Sequence, residues 1–446
     1  MKQILIPPAV CGILQRLEAS GFEAYAVGGC VRDSLLGREP NDWDICTSAK
    51  PEETAKLFSH TVLTGVKYGT VTVIENDVAY EITTFRTENG YSDHRHPDEI
   101  VFLNELQGDL ARRDFSINAM AADARGRITD LFDGLHDLRH GLIRCVGVPD
   151  ARFHEDALRI VRALRFASRL NFSIEPQTAE AIHRLCPSLK AVAPERLHKE
   201  LQGLLCGAGA AQLACEFSDV LCVMIPELAQ CMGFKQYNHH HRYDVWKHTL
   251  MALSAETSGN VVLRLALLLH DIGKPAVFSM DKNGVGHFYG HAVVSAAMAE
   301  NILRRLHFDN ATIHRVCLLI RLHDYPLLDM TERGMRRFLA KYGEKVLREL
   351  IALRCADRLG KGTEEPADIQ AFQAQLLSLL AQRSEISAHP LQINGRDLLA
   401  MGVAEGPKIG ALLTEIQNAV FDELVENDHE ALVNYAQEFI GIWKTD

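Results

Sequence analysis

No apolar run in this chain of 446 residues is long enough to cross a bilayer; the longest, near Val261 to Leu269, is broken by Arg264. No signal-peptide core follows Met1-Lys2, so a cytoplasmic location is expected. The 11 cysteines, an odd count, include no CxxC pair, which argues for reduced thiols against a zinc ribbon or disulfide framework. Internal repeats and low-complexity tracts are also missing. Positive charge is short, with 47 Lys and Arg against 58 Asp and Glu and a net charge of −11. That balance argues against non-specific coating of nucleic acid but leaves room for a local basic groove. What remains is 47% hydrophobic and 24% charged, the composition of an ordinary globular protein with room for roughly two to four domains.

Residues 1–145 mix short β-rich segments with helices. Ala24 to Val27, Val71 to Ile74 and Ala79 to Phe85 read as strands, the last two joined by the turn Glu75-Asn76-Asp77. From about residue 150 the periods are helical, punctuated by Pro149, Pro176, Pro187, Pro194 and Pro226. A histidine-rich connector, Asn238-His239-His240-His241, marks entry to a third region. Residues 361–390 read as a helical linker into a C-terminal helical segment. The expected class is α+β: a mixed sheet with helices at 1–145, then all-α parts at 146–235, 236–360 and 361–446.

The densest chemistry lies in Gly28-Gly29-Cys30-Val31-Arg32-Asp33, followed by Asn41-Asp42-Trp43-Asp44. A glycine opening a helix lets backbone amides approach a triphosphate. Asp42 and Asp44, read as alternate residues of one strand, face the same way with Trp43 behind them. Such a pair can hold two Mg²⁺ ions about 3.5–4 Å apart for in-line nucleotidyl displacement. Next come Arg112-Arg113 in RRDFSINA, suited to bidentate neutralisation of phosphate charge. Asp156 and Arg159, read as neighbours on one helix, form either a simple ion pair or a base reader. As a reader, the carboxylate accepts from the exocyclic amine of C or A while the guanidinium donates to the adjacent ring nitrogen, which rejects U and G. Arg162 and Arg165 continue along the same helix.

GGCVRD, DWD, RRDFSINA and EDALRIVRALRFA, in this order, closely resemble the class II tRNA nucleotidyltransferases, the CCA-adding enzymes, over about residues 20–230. The resemblance implies a polymerase-β-like head, with catalytic Mg²⁺ on Asp42 and Asp44. It implies nucleotide contacts from Gly28, Gly29, Arg32, Arg113, Asp156, Arg159, Arg162 and Arg165. Glu81 falls near the third carboxylate of the wider superfamily, or braces the sheet. Residues 86–97 resemble the family's flexible loop, whose acidic–basic element, here Asp93 and Arg95, accompanies the switch from C to A addition. The implied partners are the 3′ end of tRNA, CTP and ATP, with no membrane and either a monomer or a homodimer. The stretches 391–398 and 406–410 resemble, more loosely, the tail that holds the tRNA elbow. A-only addition stays open, as does a bacterial poly(A) polymerase, which the single lysine of Val62 to Gly69 disfavours.

A second ligand set comprises His248, His270, Asp271, His291, His323 and Asp357. Imidazoles and carboxylates spread over several helices suit a divalent transition metal. Their spacing resembles the HD phosphohydrolase superfamily, which implies that His248, His270, Asp271 and Asp357 ligate one metal. His291 and His323 then complete a two-metal site or grip phosphate. The implied substrates are 2′,3′-cyclic phosphates or nucleotides.

Overall fold

The computed structural model describes residues 3–89, 99–237, 242–361, 370–378, 380, 390–404, 406–421 and 424–443. The Asp93 and Arg95 loop element and His239 to His241 lie outside the described residues, as does most of the 361–390 linker.

The strands of the N-terminal part are β1 Ala24–Val27, β2 Asp44–Thr47, β3 Thr61–Gly65, β4 Thr70–Glu75, β5 Val78–Thr84, β6 Arg86–Asn89, β7 Glu99–Phe102, β8 Met120–Ala122 and β9 Ile128–Asp130. Seven of them make one sheet in the order β3-β4-β5-β2-β1-β8-β9, with β2 and β5 parallel and the other neighbours antiparallel. The expected mixed sheet is therefore present. Asn76 and Asp77, at φ 52° and 62°, make the two-residue β4–β5 connection. Both tolerate positive φ, which matches the right-handed twist of the flanking strands.

Val10, Ile13, Leu14 and Leu17 recur at helical spacing, so helix Pro8–Ala19 buries an apolar stripe against Ala24, Ile45, Val71, Val73 and Ile82. A second core starts at Ala26, Met120 and Ala122 in the sheet. It passes through Phe115, Ile160, Val161 and Leu164, and continues through the helical region as far as Leu376. One close-packed core thus joins sheet and helices and sets the helix Leu158–Leu170 firmly beside the sheet. Ile393, Leu398, Leu412, Ile416, Leu432 and Ala436 form a separate tail core.

The prolines act as punctuation. Pro149, Pro176 and Pro194 each occupy the first position of a helix, where a missing N–H costs nothing. Arg264, the break in the apolar run, is buried and paired with Glu256 at 2.6 Å. No described helix is long and apolar enough to cross a membrane.

Two local readings are corrected. Strand β2 begins at Asp44, so Asp42 and Trp43 lie in the approach to it and Asp42 does not share the strand's alternation. Asp156 and Arg159 do not share one helix either: helix Pro149–Glu155 ends before Asp156, and the next begins at Leu158. The Asp156 carboxylate accepts from the Leu158 N–H at 3.0 Å, a local bond that competes with helix continuation and turns the chain there.

Candidate active site and candidate metal centre

Strand β1 runs into Gly28, whose φ of 81° and ψ of −129° swing the chain into helix Gly29–Leu35. A Cβ at Gly28 would stand 3.0 Å from Arg113 Nη1 and 4.0 Å from Asp44 Oδ2. The bare backbone is therefore what lets a glycine, a guanidinium and a carboxylate share one corner. Gly28→Ala is expected to cost about 1–3 kcal/mol of stability through backbone strain. The check is a lowered thermal midpoint together with a raised KM for nucleotide.

This corner is the floor of a cleft of about 460 Å³ that also receives Asp42, Asn118, Arg162, Arg165 and Arg169. Asp44 is open to solvent by area yet crowded by protein atoms. Desolvation, then the Asp42 charge, lifts its carboxyl above the usual range against the opposing pull of Arg113. Glu81 adds to that lift, and the parallel register Ile45↔Ile82 places it on β5 beside Asp44. A carboxylate held up by like charges is relieved by a cation, so Asp42, Asp44 and the nearby Glu81 fit a divalent metal. Arg113 is fixed by buried Asp109 at 3.1 Å. Burial opposes its charge, but Asp109 outweighs burial and keeps the guanidinium protonated.

The far wall comes from the neck helix. Arg162, Arg165, Phe166 and Arg169 follow i, i+3, i+4, i+7 spacing, so one stripe of helix Leu158–Leu170 faces the cleft. The guanidiniums of Arg32, Arg162 and Arg165 sit 5.0, 5.4 and 4.6 Å from the Phe166 ring centroid. Internal acids aim these arginines. Asp114 accepts from Arg162 at 2.7 and 3.0 Å and from Asn118 at 3.0 Å, while Asn118 in turn accepts from Arg32 at 2.7 Å. Burial penalises the Asp114 charge, but Arg162 and Asn118 outweigh it and hold its carboxyl at about 2. Glu200, on helix Pro194–Leu205, holds Arg165 at 2.8 Å. Gly203 on that helix makes room for the Arg165 stem, since a Cβ there would meet Cδ at 2.5 Å.

The cleft thus gathers Gly28, Gly29, Arg32, Asp42, Asp44, Arg113, Arg162 and Arg165. Arg112 turns away to Asp109 at 2.7 Å. Asp156 and Arg159 are not among the lining residues: Asp156 pairs with Arg196 at 2.7 Å, and Arg159 pairs with Glu155 at 2.6 Å and donates to Arg112 O at 3.0 Å. Asp114, Asn118 and Phe166 were given no role in the sequence motifs that contain them, and Arg169 and Glu200 were not singled out. Asp114 and Asn118 stand inside RRDFSINA, and Phe166 and Arg169 continue the arginine spacing, so both signals were present.

The second ligand set converges from five helices. His248 lies on Val245–Ala255, while His270 and Asp271 directly follow Val261–Leu269. His291 opens His291–Arg305, His323 ends Asn310–Leu322, and Asp357 lies on Glu332–Gly360. The Nδ1–H groups of His270, His291 and His323 donate to the carbonyls of Leu267, Phe288 and Ile320 at 2.8, 2.9 and 2.6 Å. Those bonds turn each Nε2 lone pair inward. His248 and His270 Nε2 then meet at 3.3 Å, and His291 and His323 Nε2 at 3.1 Å. Lone pairs so close need a proton or a cation between them.

Asp271 stands between the two groups, 3.2 Å from His270, 3.3 Å from His291 and 2.7 Å from the Lys274 ammonium. His248 approaches Asp357 at 2.9 Å. Burial works against charge on His270, but Asp271 and Asp357 outweigh it and push its pKa up to about 10. The cluster therefore demands positive charge. The ligand atoms of His248, His270 and Asp271 lie within 4.8 Å of one another, as do those of Asp271, His291 and His323, so two ions bridged by Asp271 would fit. His323-Asp324 repeats the His270-Asp271 dipeptide, and Asp324 reaches His291 at 3.2 Å, a ligand-range acid the sequence reading missed.

Comparison with known proteins places these features among relatives. Three family models match: the "Poly A polymerase head domain" at residues 24–144, the "Probable RNA and SrmB- binding site of polymerase A" at 171–231, and a putative "tRNA nucleotidyltransferase domain 2" at 288–436. The chain is 35% identical over 430 residues to a CCA-adding enzyme of Limosilactobacillus fermentum, covering 96% of each. It is 36% identical over 427 residues to that of Lactiplantibacillus plantarum, covering 95% of this chain and 94% of the relative. The solved Bacillus stearothermophilus CCA-adding enzyme in complex with CTP superposes with a TM-score of 0.66 at 29% identity, covering 99% of this chain and 100% of that one.

Proposed function

Because the chain belongs to the CCA-adding enzymes, the tRNA nucleotidyltransferases, we propose that it adds C, C and A in turn to the 3′ end of tRNA from CTP and ATP. The observation that carries this is one cleft holding Asp42 and Asp44 against Gly28, Arg113 and the neck arginines Arg162 and Arg165. Asp42 and Asp44, with Glu81 as third carboxylate, would hold divalent ions, which would supply activation of the attacking hydroxyl and charge neutralisation at the leaving pyrophosphate. Gly28 and Gly29 admit the triphosphate, and Arg32 and Arg113 grip it. Asp156 and Arg159 read C or A once they exchange Arg196 and Glu155 for the base edge. The division at 145, 235 and 360 belongs to the same proposal; the separate tail core from Ile393 onward supports only a distinct C-terminal part, since one core runs through the first three.

tRNA ending at its discriminator base, tRNA-C and tRNA-CC, each given single NTPs, test this. Two C additions followed by one A are expected. Addition of A only to tRNA-CC would mark an A-adding enzyme, and a growing A tail a poly(A) polymerase.

For the second cluster we propose a metal-dependent phosphohydrolase, supported by the inward Nε2 atoms and the Lys274 and Lys361 ammoniums at 2.7 and 2.9 Å from Asp271 and Asp357. His270→Ala is expected to lower bound metal per chain by at least half, read by elemental analysis, with CCA addition within about twofold of wild type.

A further inference from the structure

Resting on the phosphohydrolase reading of the histidine–aspartate cluster, we propose that Tyr289 is the platform on which this site stacks the base of a ribonucleotide phosphoester. The cavity over the cluster measures about 300 Å³, with Asp271, His291, His323 and Asp357 lining it beside Lys274 and Lys361. Tyr289 also lines it, yet the residue is 77% exposed. An exposed aromatic ring at the rim of this cavity offers a face on which a base can stack.

This ring is already held flat. It lies on the His287 imidazole with centroids 5.2 Å apart and planes 7° from parallel, and its hydroxyl is 3.3 Å from His287 Nδ1. His287 Nε2 is anchored in turn to Asp281 at 3.3 Å. A ring fixed before binding loses little freedom when a base settles on its open face. The cavity is at the small end of ligand pockets, sized for a phosphate and its sugar, so the base is left at the mouth where Tyr289 stands. Lys274 and Lys361 offer cations to the phosphate oxygens inside. In the reaction a water oxygen bonds to phosphorus, one P–O ester bond breaks, and a water proton passes to the released ribose oxygen. Phosphoesters without a base bind the same floor but forgo the stacking.

The test uses the full-length protein with adenosine 2′,3′-cyclic phosphate, a short RNA ending in the same group, and base-free propane-1,2-diol cyclic phosphate. Tyr289→Ala is expected to raise KM for a base-bearing substrate about tenfold, with kcat within twofold. The base-free KM should stay constant, and Tyr289→Phe should match wild type. A rise for the mononucleotide alone identifies a free nucleotide as substrate, and a rise for the RNA identifies a chain end. Equal changes for base-bearing and base-free substrates, or none, overturn the proposal.

A second readout needs no metal. Quenching of 2-aminopurine riboside 2′-monophosphate fluorescence by the protein should fall in Tyr289→Ala, and an unchanged quench contradicts stacking. Should His270→Ala keep full hydrolysis, the cluster reading fails, while the fluorescence result still decides the role of Tyr289.

Discussion

Asp44→Asn is expected to lower C and A incorporation by about 10³-fold or more while leaving the thermal midpoint within about 2 °C of wild type. Asp44 is open to solvent and begins β2, so its carboxylate faces the cleft and supports no core contact. The change removes the charge that holds the ion and keeps the shape, and a neutral amide is a far poorer partner for a hard cation. Desolvation and Asp42 lift the Asp44 carboxyl of the metal-free protein, so protons compete with the cation there and acidification should depress incorporation most at limiting Mg²⁺. A pH–rate profile of single-nucleotide addition reads this directly. Retained activity in Asp44→Asn would remove the head from the reaction.

Asp114→Ala is the second large effect, and it works through positioning. The Asp114 carboxylate is buried between head and neck and binds Arg162, Asn118 and the Phe115 N–H. Deleting it leaves Arg162 with Glu200 at 3.8 Å and frees Asn118 from the arrangement that aims Arg32. Breaking one side of a buried ion pair typically costs about 3–5 kcal/mol. A drop in thermal midpoint of several degrees and a raised KM for both CTP and ATP are expected.

The pH dependence has a definite sign. The folded pKa of about 2 lies below the unfolded value of about 3.9, so this stabilisation is present above about pH 4 and is lost as pH falls toward 2. Acid unfolding of wild type should therefore steepen across that window, and Asp114→Asn should flatten it. An unchanged acid limb in Asp114→Asn would assign the effect to other carboxylates.

What the sequence made legible was local. A strand meeting paired glycines, Asn76-Asp77 between two alternating runs, and an apolar helix ending in His270-Asp271 are each written in consecutive residues. The structure reproduces them nearly to the residue. The histidine–aspartate set was legible through its resemblance to the HD superfamily spacing, and the structure brings five of its six residues into two groups that could hold a metal ion.

What escaped was partnership across distance. Arg32 meets Asn118 across 86 positions, Arg162 meets Asp114 across 48, and Asp156 meets Arg196 across 40. Nothing in a one-dimensional pattern says which of many acids will face a given arginine. The helix break at Asp156 escaped for a related reason: an aspartate bonding its own neighbour's amide looks like an aspartate within a helix until the geometry is known.

The central claim is that one nucleotide spans the carboxylate pair and the Asp156–Arg159 couple. A crystal structure of the protein with CTP and Mg²⁺ tests it most directly. The account predicts the triphosphate over Asp42 and Asp44 and the cytosine amine and ring nitrogen against Asp156 and Arg159, with Asp156 released from Arg196. A cytosine bound elsewhere, with the Asp156–Arg196 and Arg159–Glu155 pairs intact, would contradict it.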